Sequence, residues 1–178
     1  MMKPYQRGFT FIEVAVATAI IALIAGAATM TTFSVLRDTG RTNDRMTAVR
    51  QVENAGYWVS RDTLMADRVC TENLTPPDFL VLDWTDWGYD EDSIYHSVTY
   101  SIEDVSGGIG KLKRTHQDSE GTNEQMLVAE YIYYNQSDPS NTSDVSYQNP
   151  LLTLKIASVL GDAQETREYK VYRRPNFQ

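Results

Sequence analysis

One cysteine, Cys70, is all that the 178 residues contain, so no disulfide can form within the chain and a folded domain must be held by its core. Histidine is nearly as scarce, with only His96 and His116. No G-x-S-x-G, H-E-x-x-H, P-loop or C-x-x-C spacing occurs, so the residues themselves offer no support for an enzyme. Positive charge is short: 16 Lys and Arg stand against 24 Asp and Glu, a formal net charge of -8. With a pI near 4.7, bulk electrostatics argue against nucleic acid as a partner and suit a solvated, exported exterior. No repeat or low-complexity tract breaks the chain. Charge of either sign is missing altogether from Val14 to Leu36, although the whole chain has a mean hydropathy of -0.40.

That uncharged run is what is there in place of charge. Its 23 residues would extend about 34 Å as a helix, enough to cross a hydrocarbon core of about 30 Å. A helix is the only form that satisfies its backbone in lipid. Secretory signal cores are shorter, at about 7–15 residues. Lys3 and Arg7 precede the run, which holds this end in the cytoplasm and sends the remainder outward. Glu13 is the anomaly, because a carboxylate at the start of a membrane segment is costly and calls for a partner.

Arg7-Gly8 followed by Phe9-Thr10-Phe11-Ile12-Glu13-Val14 resembles the class III signal of type IV prepilins and type II secretion pseudopilins. The resemblance covers about the first 35 residues. It implies a leader of residues 1–8, cleavage after Gly8 by a membrane prepilin peptidase, and N-methylation of Phe9. It implies too that Glu13 registers an incoming subunit against the amine of its neighbour during assembly. The new amine would stand four residues before Glu13, where a low-dielectric setting makes such a pairing count far more than at a surface. The helix-bending proline of many major pilins is absent, and Met30 stands in its place. An alternative is an ordinary signal sequence cut near Ala25-Gly26-Ala27, releasing a soluble domain.

Beyond the membrane run, Met46, Val49, Val52, Gly56, Val59, Thr63, Ala66 and Cys70 recur at three- and four-residue steps, an amphipathic helical stripe. Charged Arg45, Arg50, Glu53, Arg61, Asp62 and Asp67 read as lying off it. Pro76-Pro77 ends the pattern, which predicts one helix from Phe9 to about Leu74. The period then switches to two. Strands are predicted at 79–82, 97–102, 109–114, 126–134, 151–159 and 167–174, with Ser106-Gly107-Gly108 as a hairpin turn. The fold class is therefore α+β, a long N-terminal helix laid on an antiparallel sheet. Its parts are a leader at 1–8, a membrane or filament-core helix at 9–36, an amphipathic half at 37–75 and a β-rich domain at 76–178. Arg61 to Ala66, Tyr100-Ser101-Ile102 and Leu112-Lys113-Arg114 resemble minor pilins of the J-type pseudopilin and PilW-like kind.

Asp83, Asp86, Asp90, Glu91 and Asp92 crowd a stretch that also holds Trp84, Trp87 and Tyr89. Asp83, Asp86, Asp90 and Asp92 are candidate calcium ligands, oxygen donors for a hard cation, although their spacing is not that of an EF-hand and a solvated acidic loop is the plainer reading. Otherwise no cofactor is implied. The Trp pair could serve a partner. Asp138 to Asp144 reads as an exposed polar turn, and Cys70 as a small buried hydrophobe. The expected protein is a structural and assembly subunit, a minor pilin or pseudopilin, with no catalysis of its own. Its implied partners are the prepilin peptidase, other pilins, an inner-membrane assembly platform and membrane lipid. The rival is a membrane-anchored or secreted extracytoplasmic binding module using the Trp- and Asp-rich loop.

Overall fold

The computed structural model describes residues 8–87, 93–135 and 137–174. Among these residues a single helix, α1 (Phe11–Met65), is followed by eight strands: β1 (Arg68–Cys70), β2 (Asp78–Trp87), β3 (Ser93–Ser106), β4 (Ile109–Asp118), β5 (Asn123–Tyr133), β6 (Asp144–Gln148), β7 (Leu151–Leu160) and β8 (Ala163–Tyr172). Two compact units divide the chain, Met1–Thr42 and Asn43–Gln178, and α1 contributes to both.

The first unit is the apolar part of α1. It is the one helix among the described residues long and apolar enough to cross a membrane, with a mean hydropathy of 2.3 in its best window and none of that window buried. Its threonine hydroxyls bond back to the helix: Thr18 donates to the Val14 carbonyl, Thr29 to Ala25, Thr31 to Ala27 and Thr32 to Ala28. That back-bonding is what permits threonine in an apolar medium, where an unpaired hydroxyl is costly.

The second unit is an antiparallel sheet with the last turns of α1 on one face. Strand order is β1-β2-β3-β4-β5-β7-β6, with β8 also on β7. β7 takes three neighbours because β6 pairs with Leu151–Lys155 and β5 reaches only Ser158, sharing one edge, while β8 runs along the other. Between β3 and β4 the chain reverses at Gly107 and Gly108, both at positive φ (61° and 82°), the two-residue turn that only glycine adopts without strain.

Burial alternates as a half-covered sheet requires: Leu80, Leu82 and Trp84 on β2, Val98 and Tyr100 on β3, Leu152, Leu154 and Ile156 on β7. Val52, Ala55 and Val59 of α1 close this core. Gly56 lets the helix sit directly on β8. A Cβ there would lie 2.1 Å from the Tyr169 ring, whose hydroxyl donates to the Val52 carbonyl at 3.2 Å.

Several sequence expectations change. α1 stops at Met65, well short of Leu74, because Asp67 turns the chain and donates its backbone N–H to the Asp83 carbonyl at 2.8 Å. Arg68–Cys70 then adds a strand beside Val81–Asp83, so Cys70 is a half-buried edge-strand residue and not part of the helical stripe. The buried stripe is Ala48, Val52, Ala55, Gly56, Val59, Asp62 and Thr63, which leaves Met46 half exposed and brings Asp62 inside. Finally, β6 was not expected as a strand, and β8 begins at Ala163, earlier than the alternation suggested.

Candidate functional site

The start of α1 sets the geometry of the N-terminal residues. Thr10 is its N-cap, and Glu13 is the only acidic residue in the first turn. The Thr10 N–H donates to Glu13 Oε2 at 3.0 Å and the Thr10 hydroxyl donates to the same oxygen at 2.9 Å. In return the Glu13 N–H donates to Thr10 Oγ1 at 3.3 Å. This is a reciprocal capping box, which satisfies two of the backbone donors that every helix start leaves open. Glu13 therefore has a hydrogen-bond partner in its own chain, although not a positive one. Thr10 was legible as the first residue of the T-x-x-E spacing, but charge alone drew the eye to Glu13.

The cap also says what a cut after Gly8 would leave behind. Gly8 and Phe9 lie immediately outside α1, so removing residues 1–8 takes nothing from the helix or its cap. Along the helix Phe11, Ile12, Val14, Val16, Ile20, Ile21, Leu23 and Ile24 are all exposed, a surface that none of the described residues covers.

A second polar constellation lies in the sheet unit. Asp62 is 1% exposed on the buried stripe of α1. It accepts from the Tyr100 hydroxyl at 2.5 Å, from Arg114 Nε at 2.7 Å and from Arg114 Nη2 at 3.2 Å. Tyr100 of β3 and Arg114 of β4 are register partners, so the pair of strands presents both donors to one carboxylate. Burial, and after it the charge and hydrogen bond of Asp62, hold the Tyr100 hydroxyl far above its ordinary range. For Arg114, burial works to lower the pKa, but the Asp62 hydrogen bond and charge prevail and raise it. Both shifts favour the protonated forms of Tyr100 and Arg114, and the constellation ties the end of α1 to β3 and β4. Its residues were individually visible in the sequence, yet Asp62 was placed on the wrong side of the helix.

The acidic stretch divides. Asp83 is 8% exposed and accepts from Ser97 Oγ at 2.8 Å, whereas Asp86 is exposed and stands 3.3 Å from His96 Nε2. Three residues apart on a strand, they point to opposite faces. Asp90 and Asp92 lie outside the described residues, as does Glu91. Among the described residues no three His, Cys, Asp or Glu side chains converge as a metal site requires. Trp84 is packed in the core at 5% exposure, while Trp87 is 80% exposed. Since the core already unites helix and sheet, addition of a calcium chelator is expected to leave the thermal midpoint of the purified chain unchanged. A fall of several degrees would assign the acidic stretch a structural ion.

The loop after β5 is a turn, as expected, but it is not exposed throughout: Thr142 and Ser143 are buried, and Asp144 already belongs to β6. Asp138 accepts from Ser140 Oγ at 2.8 Å and from Asn141 Nδ2 at 3.1 Å, bonds that hold its carboxyl below the usual carboxylate range.

Comparison with known proteins places the N-terminal geometry in a wider class. Residues 3–29 match the prokaryotic N-terminal methylation motif, a span that contains Gly8, Phe9, Thr10, Glu13 and most of the uncharged run. The proteins that carry this motif are structural, not enzymatic. No curated protein and no solved structure matches the chain. The matched signal and the apolar helix behind it, with an antiparallel sheet packed on the last turns of that helix, are consistent with a type IV pilin-like prepilin.

Proposed function

We propose that the chain is a structural and assembly subunit, a minor pilin or pseudopilin, of a type IV pilus, type II secretion or related filament machine. In this reading it is cut after Gly8, methylated at the Phe9 amine and built into a filament through α1. The carrying observation is the coincidence of the methylation motif with the capped start of α1: Gly8 and Phe9, the Thr10 cap and Glu13 all lie within residues 8–13. An apolar helix surface without cover supports two successive environments for it, lipid first and neighbouring helices afterwards.

Before assembly the subunit would sit as a single-pass protein of the cytoplasmic membrane. Lys3 and Arg7 would keep its N-terminus cytoplasmic, with the sheet unit on the outer side. The filament would then stand at the cell surface or in the periplasm. Its partners are the prepilin peptidase, other pilins and an inner-membrane platform. The Glu13 carboxylate would pair with a Phe9 amine once water is excluded around it. The sheet unit would be the face shown to the outside, acidic and solvated.

The test is fractionation of sheared filaments from cells producing the chain. The mature chain is expected in the filament fraction, and only when the peptidase is active. Recovery of the chain solely as a soluble, unanchored domain would overturn the reading.

A further inference from the structure

A cavity of about 600 Å³ opens between the last turns of α1 and strands β2 to β5. Its size falls in the range of small-molecule sites, about 300–1,000 Å³. α1 enters the sheet unit at Asn43, where Asp44 lies against Gly161, and the cavity sits at the other end of that stretch, beside Met65. Ring systems form much of its wall: Trp58, Trp84 and the imidazoles of His96 and His116. Trp84 stacks on both imidazoles, at 5.1 and 5.9 Å between centroids. The imidazoles in turn bond to one another, Nδ1 of His96 to Nε2 of His116, at 3.1 Å. The wall is therefore held in place before any ligand arrives. Met65 and Met126 add thioether surface, and Arg61, Asp86, Glu124 and Gln125 supply the polar groups.

We propose that this cavity binds a neutral saccharide. Beside its apolar rings it offers both kinds of hydrogen-bonding group. The ionised carboxylates of Asp86 and Glu124 only accept, the Arg61 guanidinium only donates, and the Gln125 amide does both. An amine would leave the donors unanswered. A carboxylate or phosphate would leave the acceptors unanswered and meet two like charges. A sugar hydroxyl donates and accepts from one atom, so it answers both sets, while the C–H face of its ring packs on aromatic and thioether surface.

The charges agree with a neutral ligand. Arg114 is matched by Asp62 at 2.7 Å, which leaves Arg61 against Asp86 and Glu124, a mixed rim without a strong field of either sign. Arg61 itself lies over the Trp58 ring at 5.2 Å. Trp84 contributes one more unanswered group. Its indole N–H is buried and has no hydrogen-bond partner among the described residues, a deficit that an oxygen brought against that wall would relieve.

The experiment uses the purified full chain in a detergent that carries no sugar, with equilibrium dialysis and tryptophan emission as readouts. The probes are maltose, cellobiose and N,N′-diacetylchitobiose, with glucosamine and glucuronic acid as a charged pair. Saturable binding of at least one neutral disaccharide is expected, with a change in emission because Trp58 and Trp84 line the cavity. Asp86→Asn and Glu124→Gln, both at exposed positions, should each weaken binding by about tenfold without moving the thermal midpoint. Trp87→Phe, at an exposed tryptophan outside the cavity, should bind as the wild type does. Failure of all three disaccharides to saturate, preference for either charged sugar, or loss of binding in Trp87→Phe overturns the proposal. Binding is read on the purified chain, so its failure leaves the assembly reading to be decided by filament fractionation.

Discussion

Glu13→Ala is expected to give a chain that is cut after Gly8, folded and resident in the membrane, yet absent from sheared filaments. In the free subunit the exposed carboxylate serves its own helix through Thr10, and losing an N-terminal cap costs about 1 kcal/mol at one end of a 55-residue helix. Fraying of one turn is the most that follows. In the filament the balance differs. Neighbouring helices exclude water, and a Phe9 amine buried without a counter-charge would cost several kcal/mol. Glu13→Gln separates the two roles, because glutamine closes the same capping box without the charge. Normal assembly of Glu13→Gln would assign the residue to the cap alone. Loss of assembly in both variants would assign it to charge pairing. If Glu13→Ala also stops insertion or cleavage, the residue acts earlier and the pairing argument fails.

Asp62→Ala is expected to be the most damaging single change in the sheet unit. It leaves the Arg114 charge, 12% exposed, without a counter-ion and the Tyr100 hydroxyl without an acceptor. Breaking a buried pair by removing one partner costs about 3–5 kcal/mol, against a total stability of about 5–15 kcal/mol. Thermal unfolding of the full chain in detergent, followed by near-UV circular dichroism, should show a fall of roughly 10 °C or more. Asp62→Asn retains an acceptor for Tyr100 and should lose distinctly less. A fall of only a degree or two for Asp62→Ala would mean that Arg114 finds water instead.

These two carboxylates mark what sequence could and could not reveal. Glu13 was legible because a charge beside an uncharged run is anomalous wherever it occurs, and because the residues before it complete a linear signal. The sheet was legible for a similar local reason: the alternation around Val98, Tyr100 and Ile102, and the paired glycines at 107 and 108, are encoded within a few residues. Asp62 was not, because two apolar stripes overlap along α1. One runs through Met46 and Val49, the other through Ala48 and Ala55, and only contact with the sheet decides between them. Once Val52 and Val59 enter the core that holds Leu80 and Leu112, Asp62 follows them inward, and Tyr100 and Arg114 are what make that tolerable. The His96–His116 pair is equally non-local, since the residues meet only through the register of β3 on β4. The end of α1 was overestimated because Cys70 continues a helical spacing, while the edge of β2 offers it backbone partners that a helix cannot.

The intact mass of the chain extracted from membranes tests the central claim most directly. The account predicts a species that begins at Phe9 and carries one added methyl group. Loss of Lys3 and Arg7 leaves 14 basic against 24 acidic side chains, a formal charge of -10 in place of -8. A mature chain beginning near Ala28, or one that retains residues 1–8 in cells with an active peptidase, would contradict it.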